Sequence, residues 1–281
     1  MLSITLIYRM YPLPLSALLI LVGLLSTPVL AHEPVFSLGP ETIFEGGFGI
    51  EVEFEFEDAK GEQLAVMNYE ILYGLKDNLS LILKVPQILG REVGGETERG
   101  LGDIEFRTKY RFFKRDTLGA QNKVSGIFGI KVPTGDDDAE PALGTGTTDF
   151  LFGGSYGYES RTWYHFATAR YRFRTESGSR DPGDRLFIDG AIGYRPWRRE
   201  YLEWDLVTLV EMNTEFEFKD ELRGVRLPDT GGNIIWLGPT ALLSYRNIMF
   251  KGGAQFPVYE NLNGNQDSSS VRVVFAAEYH F

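Results

Sequence analysis

The 281-residue chain has no cysteine and only three histidines. Without thiols it can form no disulfide, no thiolate nucleophile and no cysteine-ligated metal site. So few imidazoles leave little material for a serine–histidine hydrolase. Positive charge is also scarce, with 28 basic residues against 39 acidic ones and a net charge of −11. That balance excludes a nucleic-acid partner, which needs clustered Lys and Arg. Beyond the first thirty residues, no apolar run is long enough for a membrane-spanning helix.

Those first residues form a pattern of their own. Residues 1–31 carry one charge, Arg9, then an apolar run from Leu13 to Leu25 and the small or apolar Val29-Leu30-Ala31. This reads as a secretory signal peptide cleaved after Ala31. A membrane anchor fits less well, because the run is short and prolines 12, 14 and 28 interrupt the region. Loss of residues 1–31 removes Arg9 and leaves 250 residues, with 27 basic against 39 acidic and a net charge of −12.

What the chain does have is period-two alternation, about a dozen times over. In Ile50-Glu51-Val52-Glu53-Phe54-Glu55-Phe56-Glu57, four apolar residues alternate with four carboxylates. A helix would scatter these charges all round, whereas a strand makes one apolar and one acidic face. The same reasoning predicts strands at 49–57, 64–73, 79–86, 101–113, 122–133, 146–158, 162–174, 185–195, 201–218, 233–245, 248–257 and 270–281. The connections alternate between short turns, such as 74–78 and 246–247, and longer polar loops, such as 87–100, 134–145 and 219–232. An even number of strands with short turns on one side and long loops on the other defines an outer-membrane barrel. Aromatic residues of the apolar phase also sort by strand end. Tyr73, Tyr110, Tyr156, Trp163 and Tyr194 lie near short turns, and Phe54, Phe152, Phe173, Trp236 and Phe256 near long loops. Two such girdles mark the two membrane–water interfaces. A soluble β-sandwich would not sort its aromatics this way.

The last strand, Val271 to Phe281, alternates in the same fashion, with Val271, Val273, Phe275, Ala277, Tyr279 and Phe281 on one face. An open apolar strand invites aggregation in a soluble protein, and a closed barrel removes the edge. This ending resembles the closing strand of bacterial outer-membrane barrels. Tyr279 and Phe281 are accordingly expected to serve barrel closure and recognition by the barrel-assembly machinery, with outer-membrane lipid around the wall.

Three stretches carry a more specific resemblance. They are Tyr73-Gly74-Leu75-Lys76-Asp77-Asn78-Leu79-Ser80; Gly100-Leu101-Gly102-Asp103-Ile104 leading to Lys109-Tyr110-Arg111-Phe112; and Gly129-Ile130-Lys131-Val132-Pro133-Thr134-Gly135 with Leu143-Gly144-Thr145-Gly146. Together they resemble the MetA pathway of phenol degradation family, a group of outer-membrane transporters. The resemblance implies an outer-membrane β-barrel with a transport role and leaves the solute open.

The expected organisation is therefore a signal peptide (1–31), a lead-in or plug segment (32–48) and an all-β, transmembrane, antiparallel up-and-down barrel of about twelve strands (49–281). With apolar residues facing lipid, the alternate set lines the lumen. Its expected basic wall is Arg107, Lys109, Arg111, Arg170, Arg172 and Arg174. Its expected acidic wall is Glu51, Glu53, Glu55, Glu57, Glu203, Asp205, Glu211, Glu215 and Glu217, with Arg272 and Glu278 beside it. Charge ladders of this kind select solutes in a pore. A lumen filled by salt bridges is the alternative, since twelve strands fall between filled and open barrels. The expectation is a channel or transporter for a small solute, with no enzyme activity and no cofactor. A non-conducting surface-binding barrel and an outer-membrane lipid enzyme are the second and third readings. His165 shares a face with Trp163 and Ser155 points the other way, which leaves the enzyme without a dyad. A solvated loop is favoured over a cation site at Asp136-Asp137-Asp138 with Glu140, and His32-Glu33 is favoured as no metal site.

Overall fold

The computed structural model describes residues 33–197 and 203–281. The expected signal peptide and His32 lie outside them. The described chain forms β1 (Phe48–Ala59), β2 (Glu62–Lys76), β3 (Leu79–Val93), β4 (Glu96–Leu101), β5 (Ile104–Thr117), β6 (Ala120–Val132), β7 (Asp149–Ser160), β8 (Trp163–Arg174), β9 (Arg180–Asp181), β10 (Arg185–Tyr194), β11 (Asp205–Glu217), β12 (Glu221–Leu222), β13 (Val225–Arg226), β14 (Gly232–Tyr245), β15 (Ile248–Leu262) and β16 (Ser269–His280).

Each long strand pairs antiparallel with its neighbour in sequence, and β1 pairs with both β2 and β16. The sheet therefore closes with no free edge. Its wall has twelve strands, because β4 and β5 are one strand interrupted at Gly102 and Asp103. Gly102 donates its N–H to the Pro86 carbonyl, and the Asp103 carboxylate accepts from the N–H groups of Gly135 and Thr145. The local ladder is thus replaced by side-chain contacts. The outer ends run further than the alternation suggested. The expected loop 87–100 is a projecting hairpin of β3 and β4, closed by Gly94 and Gly95, both at positive φ. Loop 219–232 carries β12 and β13, which join β9 in a small three-stranded sheet. Asp220 anchors that sheet by accepting from the Gly183 N–H at 2.9 Å and from Arg180 at 2.6 Å. Burial by itself would raise the Asp220 pKa, and these donors hold it below the usual aspartate range.

The outer face of the barrel is apolar. Phe106, Tyr110, Phe152, Trp163, Ile192, Trp204, Phe256 and Phe275 all project from it, exposed. One expectation needs correcting. Trp236 is 2% exposed and turns inward beneath the Arg272 guanidinium at 4.6 Å, beside a register shift between Ile235 and Trp236. His165 pairs with Tyr158 across the turn at Arg161–Thr162. It still faces outward, and Ser155 inward.

The inward face is not polar throughout. Tyr164, Phe166, Ala191, Val207, Leu209, Leu242 and Val274 form a buried apolar cluster inside the wall, and Val35 packs into it with Phe36 against it. Residues 33–47 thus sit inside the barrel. The segment enters at the short-turn end, where Gly74 exchanges backbone hydrogen bonds with Gly46 and Gly47. A Cβ on Gly74 would lie 1.9 Å from the Phe44 carbonyl oxygen, so only glycine permits this approach.

Candidate functional site

Irregular backbone at membrane depth survives only where its polar groups find partners. Residues 33–47 find them on successive strands. The Ile43 N–H donates to Ser80 Oγ at 2.8 Å, and Ser125 Oγ donates to the Pro40 carbonyl at 2.6 Å. Thr168 Oγ1 donates to the Leu38 carbonyl at 2.7 Å, and Ser37 Oγ to the Asp189 carboxylate at 2.9 Å. Glu211 accepts from the N–H groups of Val35 and Phe36 at 2.7 and 2.9 Å, and from Thr240 Oγ1 at 2.7 Å. Asn213 donates to the Phe36 carbonyl. Glu41 meets Lys123 at 2.6 Å, and Glu33 crosses to Lys109. Gly157 leaves the space that Pro40 fills, since a Cβ there would lie 2.7 Å from Pro40 Cγ.

The segment covers the side of the lumen built by β6, β8, β10 and β11. Opposite it lies a cavity of about 400 Å³. Its lining reaches from His280 and Ser80 near the short turns to Asp103 and Lys131 near the long loops. One charged cross-strand row climbs through this space as the tilted strands succeed one another: Glu278, Glu51, Glu70, Lys84, Glu105, Lys131, Asp149 and Arg174 are consecutive register partners. Period-two alternation predicts that each faces inward. It does not predict the register that makes them neighbours.

The expected basic and acidic walls are interleaved rather than separate. Arg107 bonds Glu70 and lies 3.2 Å from Glu105, which also binds Arg172 at 2.9 Å. Arg170 meets Asp189 at 2.6 Å, and Arg174 meets Glu217 at 3.3 Å. Arg111 sits at the short-turn rim and donates to the Asp77 carbonyl. On the acidic side, Lys251 binds Glu51 at 2.5 Å and Glu278 at 3.3 Å. Lys84 lies 3.6 Å from Glu53, Arg272 binds Glu215 at 2.8 Å, and Arg185 binds Glu217 at 2.6 Å. Asp205 is clasped by Arg195 at 2.7 Å near the short-turn rim. Glu203 is exposed and precedes β11, outside the ladder in which it was expected. Glu55 accepts from Asn68 at 3.3 Å, and Glu57 follows it on the same face. The partners missed at first were Glu70, Lys84, Lys123, Lys131, Asp149, Asp189, Arg185 and Lys251. Each was legible as an inward-phase charge on its own strand. Glycine makes room for the longest of the inward cations: Arg107 lies across from Gly129, and Arg170 across from Gly153.

A closed twelve-stranded wall with an apolar girdled exterior and a charged interior defines a transmembrane β-barrel of the bacterial outer membrane. Residues 73–256 match the family described as "Putative MetA-pathway of phenol degradation", and the chain belongs to that family. Among solved structures, an outer membrane channel from Pseudomonas putida F1 is similar, with a TM-score of 0.71 at 12% identity over 89% of this chain and 100% of that one. The NanC porin has a TM-score of 0.52 at 7% identity over 82% and 98% of the two chains. The β domain of the Bordetella autotransporter BrkA has a TM-score of 0.51 at 10% identity over 84% and 100%. These likenesses concern the fold. No curated protein matches the chain.

Proposed function

We propose that this barrel is an outer-membrane channel for a small solute, narrowed by residues 33–47 and selective through its charged lumen. The observation that carries the reading is the cavity of about 400 Å³ beside that segment, lined by ionisable side chains from one rim towards the other. A barrel sealed by salt bridges would leave no such space. The similar fold of a Pseudomonas channel is consistent with this reading. Tyr279 and Phe281 would mark the closing strand for the assembly machinery; their rings meet at 4.9 Å, and Phe281 donates its N–H to the Phe48 carbonyl. A hydrolytic role has no dyad at Ser155 and His165, which face opposite sides of the wall.

Conductance of the refolded protein in planar bilayers tests the reading. Discrete steps are expected in potassium chloride. Absence of current, together with absence of solute uptake into liposomes, would leave a non-conducting structural barrel instead.

A further inference from the structure

The lumen charges do not cancel, and their remainder has one sign. Among the described residues, each Lys and Arg that faces the lumen between the rims lies within 3.6 Å of a carboxylate oxygen, from Lys84 on β3 to Arg272 on β16. The carboxylates have no such complete set of partners. Among the described residues, Glu55 has only the Asn68 amide, and Glu57 has neither a hydrogen bond nor an ion pair. Arg272 stands across from Glu57 in the β1–β16 register, but its guanidinium is held by Glu215 and Gln255. Glu211, the other lumen carboxylate without a cation, is occupied by the backbone of residues 35 and 36. The lumen carboxylates with neither a cation within ion-pair distance nor inserted backbone are therefore the adjacent pair Glu55 and Glu57, in the outer half of β1, with Glu55 lining the cavity.

The outer mouth has the same sign. The long-loop tips at 58–62, 90–100, 133–148, 175–184, 218–231 and 258–269 hold seventeen carboxylates against seven Lys and Arg. The described short-turn tips at 74–78, 113–121, 159–162, 195–197, 203–204 and 246–247 hold four against six. A mouth of one sign, framed by a low-dielectric wall, concentrates counter-ions at the opening. Carboxylates within the pore then favour cations.

Beside the pair lies a buried apolar cluster with Leu64 at its margin. In register, Val66 stands opposite Glu55 and Leu64 opposite Glu57. Val66, Ile88 and Leu143 form a buried cluster with Leu64 and Ala139 against it. We infer that the channel selects cations, that Glu55 and Glu57 are its specificity-determining residues, and that the solute class is a small organic ammonium whose carbon body lies against the part-exposed Leu64. This deepens the channel reading above and rests on it.

Reversal potentials across a potassium chloride gradient test the inference. The wild-type protein is expected to reverse on the cation side, and Glu55→Gln with Glu57→Gln to shift markedly towards zero. Gln removes the charge without cutting off a partner, so the double variant should fold; heat-modifiable migration in gels checks this. Reversal on the anion side, or no shift in the double variant, overturns the inference while the channel stands. Replacing potassium with benzylammonium should keep the cation-side reversal, and its loss overturns the organic-ammonium class. Absence of any current overturns the channel reading and this inference with it.

Discussion

The two sides of the lumen solve one physical problem differently. Along β6, β8, β10 and β11, inward polar groups are satisfied by a second piece of backbone: Ser125, Thr168, Asp189 and Glu211 all bond residues 35–40. Along β1, β2, β3 and β5 most of the charged groups are satisfied by one another, as in the set of Glu70, Lys84, Glu105 and Arg107. One side joins polar contacts to an apolar core under Val35, and the other is ionic and borders the cavity. Backbone hydrogen bonds are individually weak and numerous. Buried ion pairs are individually costly to break. The covered side should therefore release its segment in steps, whereas the open side should fail when a single charge is removed.

The largest expected effect erases the difference altogether. Deleting residues 33–43 would expose both sides to water. Single-channel conductance should rise several-fold while the wall stays closed, because the β1–β16 and β1–β2 ladders begin only at residues 49 and 48. Unchanged conductance would mean that the segment does not limit the passage.

Next comes the open side. Arg107→Ala leaves Glu70 and Glu105 facing each other with fewer cations, since Arg107 is 7% exposed and bonded to both. Removing one partner of a buried pair costs about 3 kcal/mol. The urea midpoint of the refolded barrel in detergent should fall accordingly. A midpoint within error of the wild type would show that cavity water solvates these carboxylates well enough to replace the arginine.

How much of this contrast could be read from the sequence follows from which interactions are local. Period two reports which face a residue takes, so the lumen positions of Glu51, Arg107, Arg172 and Glu215 were legible from the sequence, as was the number of wall strands. Period two does not report register. Two walls of opposite charge were expected because Glu51 to Glu57 and Arg170 to Arg174 each lie on one strand; their partners Lys251, Asp189 and Glu105 come from others. Residues 33–47 have no period at all. Their contacts reach as far as Glu211 and Asn213, and no local rule places a chain against a surface that far along the sequence. The small sheet of β9, β12 and β13 was missed for the same reason, because two-residue strands are too short to show alternation.

On the covered side, Glu211→Ala should have the strongest single effect. The carboxylate accepts three hydrogen bonds, two from the inserted backbone. Losing two hydrogen bonds, at about 1–1.5 kcal/mol each, costs about 2–3 kcal/mol of docking. Amide hydrogen exchange at residues 35–40 should accelerate, with little change in the urea midpoint of the wall. If exchange stays slow, the apolar packing of Val35 and Phe36 holds the segment without the carboxylate.

The smallest effects decide whether the segment comes loose in steps or as a unit. Ser125→Ala and Thr168→Val each remove one donor to a carbonyl, at Pro40 and Leu38, for about 1 kcal/mol apiece. Independent contacts should add when both are removed. An additive double variant, read by exchange at residues 35–40, would mean that each strand grips the segment separately and that partial release widens the passage by degrees. A double variant costing clearly more than the sum would mean that the two carbonyls share one docking event. The segment then has two positions, in or out, and the covered side resembles the open side after all: it fails at once when a single link is lost.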